Sequence, residues 1–382
     1  MTVISLAGSF HRFGFSFLSV FCVLLLQSAT GRKLKFVLLV MRHGDRTPLG
    51  TFPTDQYKED IWPQGFGQLT TLGMQQQHQT GEFLRKRYSQ FLSAEYNRKE
   101  IYVRSTDVDR TIMSAQANLA GLFPPTGWQI WNEQIPWQPI PVHTVPLKDD
   151  KLLHFPLRNC VRYRKLMKET MRTPEVQDKI KSKMEEFTTL AFYSGYDVQT
   201  LLDLNNHTLW NIYDALYVQM AHRYKLPHWV TWSSYKRMRQ MKEILTFGLN
   251  AMFGVHKREE KSRLQGGVLV KDILEKITNA SQPASKTKMV MYSAHDTTIV
   301  ALQMALQGSL TELPKYAACY LFELYQESNS EHTVEMYFRR SFLTKQPTPV
   351  ILPGCSAACP LEKFKQLVSP IIPNNWEDEC NN

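Results

Sequence analysis

Leu34-Lys-Phe-Val-Leu-Leu-Val-Met-Arg-His-Gly-Asp-Arg-Thr-Pro48 is the stretch that sets the fold of this chain. Leu34 to Met41 is an apolar run of strand length, the pattern of a strand buried on both faces, as in a sheet covered by helices on either side. The run stops abruptly at Arg42, at the strand's C-terminal end, where α/β sheets place their ligands. Arg42 and Arg46 flank His43 within five residues, and Gly44 lets the backbone turn closely there. Two guanidiniums around one imidazole suggest an anion site with a nucleophile in it.

Two later stretches repeat the arrangement of strand end followed by helix start. Ile101 to Val103 reads as a short strand, and Thr106-Asp-Val-Asp109 as a capping box that opens a helix. Arg110 then lies in the first turn, where free N–H groups already favour anions and where a bound phosphate would explain a cation. Lys286 to Tyr292 returns to strand character, and Ser293-Ala-His-Asp296 repeats the capping pattern before a helical run from Thr297 to Leu306. His295 and Asp296 there offer a donor beside a carboxylic acid. Taken singly, each has a structural reading too: Arg110 as a partner of Asp107, Asp296 as a cap.

Around these units, Thr70 to Leu92 has helical periodicity, with Arg85, Lys86 and Arg87 read as a solvated face. Phe123 to Pro146, thick with Pro and Trp, reads as extended and irregular. Lys151 to about Arg263 is helical, broken at Pro174, Gly195 and Pro227, while Ala317 to Tyr325 and Thr333 to Phe338 read as a β-hairpin. The expected organisation is a signal peptide over 1–31, an α/β domain from 32–150 and 264–382, and a helical insertion over 151–263.

Composition narrows the class. With 382 residues, 43% hydrophobic and 21% charged, disorder and fibrous architecture are excluded. The net charge of +10 is scattered along the chain instead of massed in one arm, which argues against a nucleic-acid partner and suits small anionic substrates. Phe13 to Leu26 is apolar and precedes Ser28, Ala29 and Gly31, a secretory signal with the mature start at Arg32. Its 14 residues are short for a membrane span, so the mature protein is expected to be soluble, without a stable membrane anchor. After Cys22 leaves with the signal, five cysteines remain, an odd number for an oxidising compartment. Cys355 and Cys359 read as a local disulfide more readily than as a zinc half-site, since no second Cys/His pair lies nearby. Asn206-His-Thr and Asn279-Ala-Ser are glycosylation sequons.

Arg42-His-Gly-Asp-Arg-Thr-Pro48 together with Ser293-Ala-His-Asp296 resembles the histidine acid phosphatase family, which includes acid phosphatases and phytases. The likeness extends through Trp62-Pro-Gln-Gly-Phe-Gly-Gln68, Arg104-Ser-Thr-Asp-Val-Asp-Arg110, Trp137-Gln-Pro-Ile-Pro-Val-His-Thr-Val-Pro146, Leu264-Gln-Gly-Gly-Val268 and Leu352-Pro-Gly-Cys355. The resemblance implies an α/β fold with a mixed, mainly parallel sheet flanked by helices, plus a smaller inserted helical domain. It implies His43 as the nucleophile that becomes phosphohistidine, Arg42, Arg46, Arg110 and His295 as the phosphate clamp, and Asp296 as proton donor. For a general acid in that place, a carboxyl protonated at acidic pH is expected. No cofactor and no metal are implied. It also implies pairing of Cys160 with Cys380 and of Cys355 with Cys359. Cys319 is then left free, because Val218 stands where relatives usually carry its partner. Trp137 and His143 resemble a homodimer contact. The implied function is a secreted acid phosphatase, extracellular or in the lysosomal lumen, acting on small-molecule or phosphoprotein phosphomonoesters. A phytase and a phosphate-ester-binding protein without catalysis are the alternatives.

Overall fold

β1 (Lys33–Arg42) runs through the middle of a seven-stranded sheet and is apolar on both sides. Phe36, Leu38 and Val40 enter one core layer with Leu269, Ile273, Ile299 and Phe364, while Val37, Leu39 and Met41 enter the opposite layer with Leu84, Tyr88, Ala115 and Leu119. Successive side chains of a strand alternate between faces, so a strand covered on both sides shows no polar alternation. Each fully buried aliphatic or Phe side chain contributes about 1.5–3 kcal/mol, which makes β1 the anchor of both layers. This computed structural model describes residues 31–154, 160–203 and 208–381. The signal peptide expected over 1–31 lies outside them up to residue 30, as does the sequon at Asn206.

The other strands are β2 (Ile101–Ser105), β3 (Met289–Ala294), β4 (Cys319–Gln326), β5 (His332–Arg339), β6 (Thr348–Val350) and β7 (Cys359–Pro360). Their order is β2-β3-β1-β4-β5-β6, with β7 on β5. β2, β3 and β1 are parallel, and the remaining pairings are antiparallel. The α/β class with a mixed, helix-covered sheet is the one expected. β4 and β5 form the expected hairpin. β6 and β7 carry no readable strand signal, being three and two residues long with a proline in each.

Helices α1 (Thr71–Arg87) and α2 (Asp109–Leu122) cover one face. A run of helices between Val161 and Leu264, including α3 (Thr208–Ala221) and α4 (Lys236–Phe253), packs around its own core of Phe187, Leu190, Ile212, Leu216, Met241 and Ile244. Phe52, from the loop after β1, inserts into that core. α5 (Gly266–Ala280), α6 (Asp296–Ala305) and α7 (Leu361–Val368) cover the second face. Pro174 stands at the first position of a helix, Gly195 ends one in a left-handed conformation (φ +80°), and Pro227 precedes another. Among the described residues no helix is long and apolar enough to cross a membrane.

Both helices start two residues later than the capping patterns suggest. α2 starts at Asp109 behind Val108, and α6 starts at Asp296 behind His295. The hydroxyls expected to cap are used elsewhere: Thr106 Oγ1 meets Thr111 Oγ1 (2.7 Å) and His295 Nε2 (3.0 Å), and Ser293 Oγ donates to the Thr111 carbonyl (2.7 Å). The solvated face of α1 also needs correction. Arg85 and Lys86 are exposed, but Arg87 pairs with buried Glu323 at 2.8 Å and lies 4.9 Å from the Tyr337 ring centre. Disulfides join Cys160 to Cys380 and Cys355 to Cys359, and Cys319 is a free, buried thiol whose pKa burial raises to about 11. Val218 is buried in α3, and Asn279 is exposed near the end of α5.

Candidate active site

Strand register brings the three sequence stretches together. β1 and β3 run parallel with Arg42 opposite Ala294, and β2 lies against β3 with Ser105 opposite Ser293. Their C-terminal ends therefore coincide. His43 N–H donates to the Ala294 carbonyl (3.0 Å) and Thr106 N–H to the Ser293 carbonyl (3.1 Å), which fixes the turns that follow. A cavity of about 380 Å³ opens there, lined by His43, Arg46, Arg110, His154, His295 and Asp296 among others. Gly44 makes the close turn expected of it, and the reason is packing against a neighbouring helix. A Cβ at Gly44 would lie 2.3 Å from the Gly73 carbonyl oxygen, so its absence lets the turn pack on the first turn of α1.

His43 is almost fully buried, and its Nδ1 is 2.7 Å from the Gly44 carbonyl oxygen. A carbonyl only accepts, so Nδ1 carries the proton and Nε2 keeps its lone pair. Burial, then Arg110, Arg42 and Arg46, holds the His43 pKa well below its ordinary value. The neutral, nucleophilic form of the imidazole is therefore favoured. For His295 the partners assign the opposite tautomer. Arg110 Nη2 lies 3.4 Å from Nδ1, so Nε2 carries the proton toward Thr106 Oγ1, and Thr106 passes the chain of donors to Thr111 and the Val108 carbonyl. Burial and Arg110 push the His295 pKa down to about 3.

The arginines differ in their ties. Arg46 donates to Asp214 Oδ2 (2.8 Å), an ion pair with side chains 1% and 5% exposed. Although burial opposes it, Asp214 raises the Arg46 pKa and keeps the guanidinium charged. Among the described residues Arg110 has no carboxylate hydrogen-bond partner; its contacts there are the Gly67 carbonyl and His295. Burial and then Arg46 lower its pKa to about 10, still charged in neutral or acid solution. Arg42 does not line the cavity. It donates to the Pro314 carbonyl (2.5 Å) and to Asp296 Oδ2 (2.7 Å), with Tyr316 stacked 4.3 Å away. The Nε groups of Arg42, Arg46 and Arg110 are all buried without a hydrogen-bond partner among the described residues. Three guanidiniums against two carboxylates leave an excess of one positive charge in a desolvated site, a setting that an anion would complete.

Asp296 departs from the expectation of a carboxyl protonated in acid. Burial favours its neutral form, but Arg42, Arg46 and His295 outweigh burial and hold it below the ordinary carboxylate range. Asp296 is thus ionised before any ligand arrives.

All six residues expected to act on phosphate meet at this one place, with Arg42 behind the cavity wall. Sequence reasoning missed their supports. Asp214 is 168 positions from the Arg46 it holds, and Thr106 is 189 from His295. Tyr316, from the segment before β4, carried no recognisable signal. The expected pairing of Arg110 with Asp107 is not what the arginine's contacts display. Elsewhere, Asp45 binds His222 Nε2 (2.7 Å) and Thr70 Oγ1 (2.5 Å), pinning the turn to α3's end and to the N-cap of α1. Trp137 and His143 lie apart from the cavity. His143 extends the sheet beyond β2, between the Val103 carbonyl and the Ser105 N–H, and its ring stacks on Tyr102 at 5.1 Å.

Comparison with known proteins places this geometry. The family profile of the histidine phosphatase superfamily (branch 2) matches residues 33–340. The chain is 50% identical to human prostatic acid phosphatase over 96% of its own length and 92% of that protein's. It is 48% identical to human lysosomal acid phosphatase over 91% of this chain and 80% of that one. Among solved structures, phytase from Klebsiella sp ASR1 superposes with a TM-score of 0.66 at 18% identity, covering 91% and 99% of the two chains. Hafnia alvei phytase in complex with tartrate gives 0.67 at 16% identity, over 92% and 99%. At these identities the structural likeness concerns the fold alone.

Proposed function

The chain belongs to branch 2 of the histidine phosphatase superfamily, and from that premise we propose an acid phosphatase that hydrolyses phosphomonoesters in two steps through His43. One observation carries this reading: a buried imidazole set among guanidiniums, with Nδ1 committed to the Gly44 carbonyl, Nε2 without a hydrogen bond among the described residues, and the charged form disfavoured by burial and the arginines. In the first step the Nε2 lone pair forms a bond to phosphorus as the ester P–O bond breaks, and the departing oxygen takes a proton from Asp296. In the second, water forms the new P–O bond, the N–P bond breaks, and Asp296 accepts the water's proton. Arg46 and Arg110 neutralise the transferring oxygens, with Arg42 adding charge from behind and His295 orienting Arg110.

Asp296 receives its proton from the substrate side in this scheme. A phosphomonoester below its second pKa, near 6, carries one proton into the site. Its remaining negative charge engages the arginines that otherwise hold Asp296 ionised. Acidic conditions then favour turnover through the substrate's protonation, while His43 stays neutral.

A shared phosphoenzyme makes a specific demand on products. With ethylene glycol present at a fixed concentration, the ratio of glycol phosphate to inorganic phosphate should be the same from nitrophenyl phosphate and from ethyl phosphate. A ratio that changes with the leaving group would mean direct attack by water, without an intermediate.

The same reading assigns residues 32–150 and 264–382 to the phosphatase domain and 151–263 to an insertion that supplies Asp214. It takes the chain to be secreted, glycosylated at Asn206 and Asn279, and to form a homodimer. The dimer rests on the segment that runs to His143 at the sheet edge beyond β2, in which Trp128, Trp131 and Trp137 are 81%, 56% and 38% exposed. Rigid, exposed aromatics of this kind serve as anchors in interfaces. Trp137→Glu should convert a dimer to a monomer in sedimentation velocity; an unchanged mass would remove this edge from the interface.

A further inference from the structure

The cavity that holds His43 continues past the arginines onto an uncharged wall. Trp210 of α3 and Ile244, Leu245, Gly248, Leu249 and Met252 of α4 form it. The α4 residues fall at i, i+4 and i+8 positions, a single stripe of the helix. The charged side chains lining the cavity, among the described residues, are Arg46, Arg110 and Asp296, all already engaged at the phosphate end. His154, the one other titratable group there beside the two catalytic-site histidines, is disfavoured in its charged form by burial.

Gly248 is the odd member of the stripe. It sits inside an 18-residue helix, where glycine is the poorest former apart from proline. Other helical glycines have a steric reason. A Cβ at Gly81, Gly121 or Gly266 would come within 2.0, 2.2 or 2.2 Å of a carbonyl oxygen from a neighbouring element. At Gly248 a Cβ would meet nothing within 4 Å, and the backbone needs no positive φ. Neither packing nor backbone conformation calls for glycine there. Its effect is to widen the cavity.

We propose that this stripe is a leaving-group subsite for an extended apolar chain, with Gly248 setting its width, so that the preferred substrates are single-phosphate esters of alcohols bearing such a chain. The inference rests on the phosphomonoester hydrolysis proposed for His43 and adds the class of the alcohol. A polyphosphorylated ring would have to put further charges against Ile244, Leu245 and Leu249, where no cation among the described residues lines the cavity to receive them, at a heavy desolvation cost.

The test is kcat/KM for ethyl, butyl, hexyl and octyl phosphate, all below micelle-forming concentrations. Their alkoxides are alike in basicity, so the trend with length reports binding of the chain. Each fully buried methylene is worth about fourfold, so two suffice for an octyl-to-ethyl ratio above about tenfold. Gly248→Leu should cut that ratio by at least about threefold, and Gly248→Ala, which adds one methyl, should cut it less than Gly248→Leu. Because both esters meet the same folded molecules, a partly unfolded variant does not alter the ratio. A wild-type ratio near one, a ratio unchanged in Gly248→Leu, or inositol hexakisphosphate turned over as well as octyl phosphate would overturn the subsite. Failure of the wild-type protein to hydrolyse even ethyl phosphate would instead remove the hydrolase reading itself, and this proposal with it.

Discussion

Replacing His43 with alanine is expected to abolish the phosphoenzyme and to lower kcat by at least about 10⁴-fold, since covalent catalysis loses its nucleophile outright. The rest of the site should survive. Arg46 is held by Asp214 and Arg110 by His295, both through contacts that do not involve the imidazole. Inorganic phosphate should therefore still bind, with an affinity within a few-fold of wild type by calorimetry. Retained phosphate binding together with lost turnover separates a missing nucleophile from a collapsed site. A variant that still accumulated phosphoenzyme would place the nucleophile elsewhere.

The second large effect is expected at Asp296, and it should depend on the leaving group. An alkoxide leaves only with a proton, whereas nitrophenolate leaves unaided. Asp296→Asn can keep a neutral contact to Arg42 but has no proton to exchange. Phosphoenzyme formation from glycerol phosphate should slow about 10²–10⁴-fold, the usual worth of a positioned general acid, and from nitrophenyl phosphate by less than about tenfold. Rapid-quench burst kinetics reads both. Equal losses would give Asp296 a role in binding or in starting α6, and the proton would have to come from another group. Because Arg42 and Arg46 keep the unliganded carboxyl ionised, the pH dependence of phosphoenzyme formation should follow the substrate's second ionisation near 6, with activity falling as pH rises through it. Protonation of His43 should not appear as an acid limb near 6.5, because burial and three arginines hold its pKa well below that value.

The core of the fold was legible because one strand is so thoroughly buried. Phe36 to Met41 touch two layers in alternation, and their unbroken apolar run marks the centre of a covered sheet. The groups at the strand ends were legible because Arg42, His43 and Arg46, or His295 and Asp296, lie within a few residues of one another. What fixes them was not. Asp214 reaches Arg46 from a helix that only the folded chain brings near, and nothing in Asp214-Ala-Leu-Tyr distinguishes that carboxylate from a surface one. Thr106 looked like a helix cap because its spacing to Asp109 is right, yet its hydroxyl is spent on His295 and Thr111. The ionised state of Asp296 depends on Arg42 turning back toward it, a matter of side-chain direction that spacing does not encode. Gly248 was equally silent, since a glycine in a helix gains meaning only from the empty space facing it.

The central claim concerns one atom, and locating the trapped phosphate tests it most directly. Wild-type protein quenched during turnover and kept at alkaline pH should carry acid-labile, base-stable phosphate. Peptide mapping should place it on His43, and phosphorus NMR should assign it to Nε2, because Nδ1 is occupied by the Gly44 carbonyl 2.7 Å away. Phosphate on Nδ1, on any residue other than His43, or on none during steady turnover would contradict the account.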